Sequence, residues 1–532
     1  MKTIYFRDFR KTGDDAYDLR AALEACRDEG AKRLVFDRNT YEINSDRCFE
    51  RSLNVSNHGW NGPHRIAVLI ENMKDLELDF SGSTLVCRGE IMHFAFLFSE
   101  RITLKNVIIE NPQTGCVQAR VVSNGDGFTD LEVTHGKEQL QIRRGMPFSV
   151  RQGCLIPLLT NVEFNGESGA IERGTADNTL NPSPGELDFE MLSNGLMRVH
   201  HVKRCLPIGN YLVFLFTHRF SAGIFCEGCT GLCFKNVTVT SCYGMGLIAQ
   251  LCKDITLDNF STKRSGGRMY TANADATHFV ECSGEIRVEN CSFEGQLDDA
   301  LNIHGIYTRI VEKSGRELFL KEMHKDARGI RIIGKGDRLS ILKPDTLLPY
   351  TEITVSDVEY INSDIIRIVA NESLENVCAG DNAENISHTA SLVFRGNTVR
   401  DNRARGMLIA AKGKVLIEDC FFSTSGSAIL FEANGEYWFE SGGTSSVEIK
   451  NCIFKDCRHG LWGNAAIECA PRKAVEPEKY FHREIVITGC SFCGSVTQIS
   501  LDNLQRAVIK NNTGCKTPVL SHIGSVEADN ND

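Results

Sequence analysis

Leu232-Cys-Phe-Lys-Asn236-Val and Ile255-Thr-Leu-Asp-Asn259-Phe are one phrase written twice, with their asparagines 23 residues apart. The phrase recurs on both sides: Ile102-Thr-Leu-Lys-Asn106-Val before it, and Ile286-Arg-Val-Glu-Asn290-Cys after it. It resumes at Leu392-Val-Phe-Arg-Gly-Asn397, Val415-Leu-Ile-Glu-Asp419-Cys, Val447-Glu-Ile-Lys-Asn451-Cys, Ile485-Val-Ile-Thr-Gly489-Cys and Val508-Ile-Lys-Asn511. Asn397 to Asp419 and Gly489 to Asn511 are each 22 residues, while Asn259 to Asn290 (31) and Asp419 to Asn451 (32) read as the same unit with a longer loop. Short β-rich phrases at a period in the low twenties, closed by a polar corner, predict a solenoid. Leucine-rich repeats share the period, but their fixed leucine ladder is absent here. The Val/Ile/Phe/Cys content suits parallel strands stacked over a packed interior. The recurring asparagine suits a corner that needs left-handed backbone or a side-chain ladder along the axis.

Two stretches break the period. From Gln113 to Val199 and from Tyr307 to Ile386 the apolar residues alternate, as in Val117-Gln-Ala-Arg-Val-Val and Ile365-Ile-Arg-Ile-Val, which predicts antiparallel strands. Ahead of the repeats, Ala16, Leu19, Leu23 and Cys26 recur at helical spacing before the strand-like Arg33-Leu-Val-Phe-Asp37. This opening resembles that of pectin-lyase-like β-helices, in which an amphipathic helix covers the first coil edge. The expected fold is all-β: a right-handed parallel β-helix with an N-terminal capping helix and two inserted small β-barrel-like domains. The expected divisions are 1–112 for the cap and first coils, 113–199 for one insertion, 200–306 for the coils with the catalytic segment, 307–386 for the second insertion, and 387–532 for the last coils. Long irregular loops are the alternative reading of the insertions.

The 532 residues are 42% hydrophobic and 24% charged, with net charge -10. That composition builds a large core and lacks the basic face a nucleic-acid partner requires. No segment approaches the roughly 18 apolar residues of a membrane span, so neither nucleic acid nor membrane is expected as a partner. The 21 cysteines lie in strand-like phrases and read as reduced, small buried hydrophobes. Cys226/Cys229 and Cys490/Cys493 each lack a second half at zinc-site spacing, so no metal is expected. The start, Met1-Lys-Thr-Ile-Tyr-Phe, shows no secretory signal. Cytoplasmic is the default location, although a secreted form with its signal trimmed would read the same. Oligomeric state is open, a homodimer being one alternative.

Chemistry concentrates in Arg268-Met-Tyr270-Thr-Ala-Asn273-Ala-Asp275-Ala-Thr-His278 and Gln296-Leu-Asp298-Asp299-Ala-Leu-Asn302-Ile-His304-Gly305. Asp275 precedes Asp298 by 23 residues, one period, and equivalent points on stacked strands sit about 4.8 Å apart. Three carboxylates on one patch repel and split their pKa values, which provides a protonated acid beside an ionised base. Glycoside hydrolysis needs that pair. An Asp-Asp at a corner is otherwise a common solvated turn.

Asn-x-Asp followed one coil later by Asp-Asp is similar to the layout of polygalacturonases, which hydrolyse with three aspartates on adjacent coils. Here, however, His304-Gly305 follows Asp299 almost directly, and no Arg-Ile-Lys follows. The closer resemblance is to glycoside hydrolase family 110, the α-1,3-galactosidases. It is carried by Ser56-Asn57-His58, by the two segments above, by Glu436-Tyr-Trp438-Phe-Glu-Ser-Gly442 and by the two insertions. It implies inverting hydrolysis of terminal α-1,3-linked galactose, including blood group B structures, with no metal and no cofactor. By position it makes Asp275, Asp298 and Asp299 the essential carboxylates, acid and base undivided. Expected sugar-binding residues are Asn57, His58, Arg268, Asn273, His278, Asn302, His304, Glu432 and Trp438, with Trp60 and Trp462 as further candidates. Competing readings are a polygalacturonase-like hydrolase or lyase of acidic polysaccharide, and a non-catalytic β-helix that binds glycans as an adhesin.

Overall fold

A computed structural model describes residues 2–59, 61–151, 153–216, 219–469, 474–494 and 496–531. The chain is all-β, and among the described residues Asp15–Asp28 is the one α-helix. The side chain of Asp14 caps that helix by accepting from the N–H groups of Ala16 and Tyr17. Its buried face (Ala16, Leu19, Ala22, Leu23 and Cys26) joins the main core.

The repeats form parallel ladders. One runs through Thr230–Val239, Lys253–Thr262, Ser283–Glu289, Ala390–Arg395, Lys414–Glu418, Ser446–Lys450 and His482–Thr488. A second runs through Ile224–Glu227, Leu247–Gln250, Thr277–Val280, the start of Leu301–Ser314, Met407–Ile409, Ile429–Phe431 and Ile467–Cys469. Side chains alternate across each strand. Leu247, Phe279, Leu301, Ile303, Met407, Ile409 and Phe431 point into the core, where Phe394, Phe422, Phe454 and Phe492 also stack face to face.

The corner residues Asn106, Asn236, Asn259, Asn290, Asp419, Asn451 and Asn511 all have φ between 53° and 58°. Asparagine tolerates this left-handed region better than most residues. Asn259 Nδ2 donates to Asn236 Oδ1, and Asn236 Nδ2 to Asn106 Oδ1, each at 2.9 Å. The expected corner at Asn397 lies one residue earlier: Gly396 takes the left-handed turn, with φ 65°. Asn397 instead turns inward, accepting from Cys291 N–H and donating to Val288 C=O. All 21 cysteines are free thiols, most of them buried.

The two insertions differ. The first is a six-stranded antiparallel sheet (Thr160–Phe164, Tyr211–Leu215, Val117–Gly125, Phe128–His135, Met197–His200, Asp188–Met191) beside a three-stranded one. Its outer strands do not pair with each other among the described residues, so it is an open sheet rather than a barrel. It also passes the expected limit at Val199, because Tyr211–Leu215 pairs with both Val117–Gly125 and Thr160–Phe164. The second insertion closes. Leu301–Ser314, Glu317–Glu322, Ile365–Ala370, Pro349–Tyr360, Arg338–Leu342 and Asn382–Asn385 pair in a ring that returns to the first strand. Its interior is a separate apolar cluster around Ile310, Leu320, Ile341 and Ile368.

Candidate active site

The second ladder carries the carboxylates. Thr277 pairs with Leu301 and Leu301 with Met407. Two residues before each of these stand Asp275, Asp299 and Arg405. The rung below Asp299 therefore holds Asp275, 24 residues earlier, whereas the 23-residue offset expected from the sequence had paired Asp275 with Asp298. Ala274, not Asp275, is the residue in line with Asp298. Backbone bonds confirm this register: Ala276 N–H donates to Asp299 C=O at 2.8 Å, and Ala300 N–H to Gly406 C=O at 2.9 Å.

One oxygen from each of Asp275, Asp298 and Asp299 lies within 4.8 Å of the others. They line a pocket of about 520 Å³, open mouth included, together with Asn57, Arg219, His278, Asn302, Arg405, Leu408, Glu432, Asn434, Trp438 and Glu440. Cations meet the carboxylates. Arg219 Nη2 donates to Asp298 Oδ2 at 2.8 Å, and Arg403 Nη1 lies 3.3 Å from Asp298 Oδ1. Arg405 donates to Asp299 Oδ1 from its backbone N–H (3.1 Å) and from Nε (3.0 Å), while its Nη2 lies 2.9 Å from Oδ2. Asp275 Oδ1 accepts from Asp299 N–H at 3.2 Å, and its Oδ2 is 2.6 Å from His278 Nδ1.

Burial and neighbouring charge then divide the three. Burial first, then the negative charge of Asp298, pushes Asp275 up to about 7. Burial likewise pushes Asp299 up to about 7, against the pull of Arg405 and with the push of Asp298 and Asp275. Partial burial pushes Asp298 up as well, but the guanidiniums of Arg403, Arg219 and Arg405 outweigh it and hold Asp298 below the usual carboxylate value. Such a cluster titrates as a unit and keeps at least one proton near neutrality. It can both give and take a proton. Five of the six carboxylate oxygens meet a guanidinium, an imidazole or a backbone N–H, while Asp299 Oδ2 is buried without a hydrogen-bond partner, although Arg405 Nη2 lies 2.9 Å away.

The other expected residues separate into two groups. Asn57, His278, Asn302, Glu432 and Trp438 line the pocket. Asn302 Oδ1 is buried without a hydrogen-bond partner, a state that a sugar hydroxyl would relieve. Trp438 stays 41% exposed and packs against His324 and Tyr437, with ring centroids 4.9 and 5.0 Å away. Asn434 fixes this turn by accepting from the N–H groups of Glu436, Tyr437 and Trp438.

The second group lies outside the pocket wall. Arg268 donates to Ser241 Oγ and Pro112 C=O. Asn273 Oδ1 accepts from Cys116 Sγ at 3.1 Å. His58 is buried, its Nδ1 at 3.0 Å from Ser56 C=O, and burial lowers its pKa to about 3. His304 is buried behind His278, with the two Nε2 atoms 2.9 Å apart. Trp462 lies beneath the Arg403 guanidinium, 5.7 Å from its ring centre. Trp60 falls outside the described residues. Arg219, Arg403, Arg405 and Glu440 were not singled out in the sequence; only Glu440 sat within a quoted phrase.

The closed six-stranded ring coincides with the match to a known family model, the GLAA-B beta-barrel domain II, over residues 317–381. An α-1,3-galactosidase B of Bacteroides fragilis is 30% identical over 478 residues, covering 86% of this chain and 80% of the relative. The chain belongs to the α-1,3-galactosidase family. An α-1,3-galactosidase B of Akkermansia muciniphila is 29% identical over 510 residues, which is 92% of this chain but 63% of that relative's length. An α-1,3-galactosidase A of Bacteroides fragilis is 26% identical over 511 residues, 92% of this chain and 83% of the relative. Among solved structures, the A-module of a mannuronan C-5 epimerase from Azotobacter vinelandii covers 98% of both chains, with 8% identity and a TM-score of 0.40. A family 28 exopolygalacturonase of Yersinia enterocolitica covers 100% of this chain and 77% of its own, with 10% identity and a TM-score of 0.40.

Proposed function

We propose that this chain is an exo-acting glycoside hydrolase that removes terminal α-1,3-linked galactose from oligosaccharides or glycoconjugates. Blood group B type structures and linear α-1,3-galactosides are the candidate substrates. The observation that carries the reading is the aspartate trio within 4.8 Å on the wall of one pocket, sharing protons near neutrality. A pocket, rather than an open groove, suits a chain end. The names of the relatives supply the sugar and the linkage.

Charge argues against an acidic polymer as substrate. The pocket's two guanidiniums, Arg219 and Arg405, are both spent on aspartates, and Glu432 and Glu440 add negative charge. A neutral sugar is indifferent to that lining, whereas a uronate would be repelled. Metal-independent hydrolysis is proposed because the guanidiniums already supply positive charge beside the carboxylates. Inversion is proposed from the family resemblance. Carboxyl groups this close leave no room between them for a water, since single inverting pairs stand about 6.5–9.5 Å apart; the attacking water would therefore sit on the open face of the trio. We further read the parallel ladders as a right-handed β-helix capped by the helix Asp15–Asp28, and the free thiols as suited to a reducing compartment.

The test is galactose release from p-nitrophenyl α-galactoside and from galactosyl-α-1,3-galactose, with NMR of the first-formed anomer. Asp298→Asn should lose nearly all turnover. No release from any α-linked substrate overturns the reading, full activity of Asp298→Asn returns the trio to a structural corner, and an α-anomer as first product overturns inversion.

A further inference from the structure

Behind Asp275 two imidazoles stand in line. His278 Nδ1 is 2.6 Å from Asp275 Oδ2, the Nε2 atoms of His278 and His304 are 2.9 Å apart, and His304 Nδ1 is 2.7 Å from Gly305 C=O. Both side chains are almost wholly buried, at 1% and 2% exposure. All four ring nitrogens are engaged, so neither ring has one left for a sugar hydroxyl.

The chain has a direction, and it follows from counting protons. A carbonyl oxygen can only accept, so His304 carries its proton on Nδ1. In the neutral ring Nε2 is then a lone pair, and the hydrogen bond at 2.9 Å requires the proton from His278 Nε2. A neutral His278 in turn presents a lone pair at Nδ1. Its short contact with Asp275 Oδ2 then requires the proton to come from the carboxyl group.

We propose that His278 and His304 are positioning residues, a two-imidazole chain anchored on the Gly305 carbonyl that keeps a proton on Asp275 Oδ2 and leaves Asp298 and Asp299 to divide the acid and base roles. The same three protons have two other arrangements, both with Asp275 ionised: His278 an imidazolium beside a neutral His304, or His278 protonated on Nδ1 with His304 an imidazolium. Burial, then repulsion from His304, drives His278 well below the usual imidazole value and opposes charge on this pair. The charged groups facing the chain are Asp298 and Asp299 from the turn before Leu301, Arg405 from the next coil, Arg219 from the loop after the first insertion, and Glu440. Glu440 Oε1, which accepts from Asn57 Nδ2 at 3.3 Å, is 3.6 Å from His304 Nε2. That is too far for a hydrogen bond, so it does not fix a proton there. Gly305 permits the close approach, since a Cβ at this position would lie 2.4 Å from Ser441 Oγ.

The division of roles rests on the hydrolase reading, whereas the placement of the proton does not. ¹⁵N NMR of histidine-labelled full-length protein at pH 6 reads the proton positions directly. The expected result is His278 protonated on Nε2 alone and His304 on Nδ1 alone; an imidazolium at either ring overturns the proposal. In activity, His304→Leu removes the acceptor for His278 Nε2–H and frees Asp275 to ionise; the added negative charge beside Asp299 should move the alkaline limb of kcat up by about one pH unit. His304→Gln, whose amide oxygen can accept in place of Nε2, should restore the limb. A fall in kcat that is uniform across pH in His304→Leu marks a merely structural role and overturns the proposal. If wild type releases no galactose, the hydrolase reading fails while the NMR result still decides the proton chain.

Discussion

Replacing Arg405 with methionine removes the guanidinium that faces Asp299 and keeps most of the side-chain volume. Asp299 is 1% exposed and accepts two hydrogen bonds from Arg405, one of them from the backbone and therefore retained in the variant. In wild type the Asp299 pKa is raised from 3.8 to about 7. Between those values the native state holds a proton that the unfolded chain has released, so this group's contribution to stability falls as pH rises from about 4 to 7 and is level above that. Without Arg405 the pKa rises further, and the falling limb extends past 7 at about 1.4 kcal/mol per pH unit. At pH 6 both proteins hold Asp299 largely protonated, so the variant loses only a hydrogen bond and some packing, about 1–2 kcal/mol. At pH 9 the extended limb adds roughly 3 kcal/mol, which brings the total to the about 3–5 kcal/mol of a broken buried pair. Asp275, which Arg405 also stabilises as the anion, acts in the same direction. Urea unfolding of both proteins at pH 6, 7.5 and 9 measures this difference, and a destabilisation that is flat with pH, or largest at pH 6, refutes the reasoning.

Other sites give sharper single readings. Asn302→Ala removes a buried oxygen that has no partner, so Tm should hold or rise, while kcat/KM should fall by about ten- to a hundredfold if a sugar hydroxyl is that partner. Trp438→Ala should lower kcat/KM on galactosyl-α-1,3-galactose about five- to tenfold, as expected for loss of one aromatic face, with Tm nearly unchanged because the ring is 41% exposed. Asn259→Ala places a β-carbon in a left-handed corner at φ 55° and breaks the ladder bond to Asn236. It should cost about 1–2 kcal/mol in thermal or urea unfolding, and Asn259→Gly should cost less.

The coils were legible because a stacked strand repeats its own chemistry: each corner needs the same backbone, so asparagine recurs at the same place. The exception at Gly396 was hidden by an asparagine beside it, since two adjacent residues can each satisfy a corner and sequence does not say which does. The aspartates were legible because they lie within one uninterrupted period. Arg405 was not, although it stands one rung above Asp299, because 106 residues separate them and the second insertion occupies most of that interval. Arg219 follows the other insertion and carries no periodic signal. Alternation alone could not distinguish an open sheet from a closed ring, since both read as antiparallel strands and only the pairing of the last strand with the first separates them.

The second insertion is more than an addition to a finished site. The strand Leu301–Ser314 begins as a rung of the ladder, pairing with Thr277–Val280 and Met407–Ile409, and ends as a wall of the closed ring. His304, Gly305 and Ile306 lie at the passage from one to the other, and there Glu440–Ser441 pairs back onto Gly305 and Ile306. A pocket wall on a free loop would have to be ordered each time a sugar arrived, which costs entropy and precision. Here the ring is continuous with the rung that follows Asp298 and Asp299, so its contact with Asn57, whose N–H donates to Asp326 C=O at 3.2 Å, and its His324 against Trp438 are set when the coil folds. The same residues therefore link wall and floor. A substitution that loosens the ring should act on the aspartates through Gly305 and His304, lowering kcat before it lowers the melting temperature of the coils.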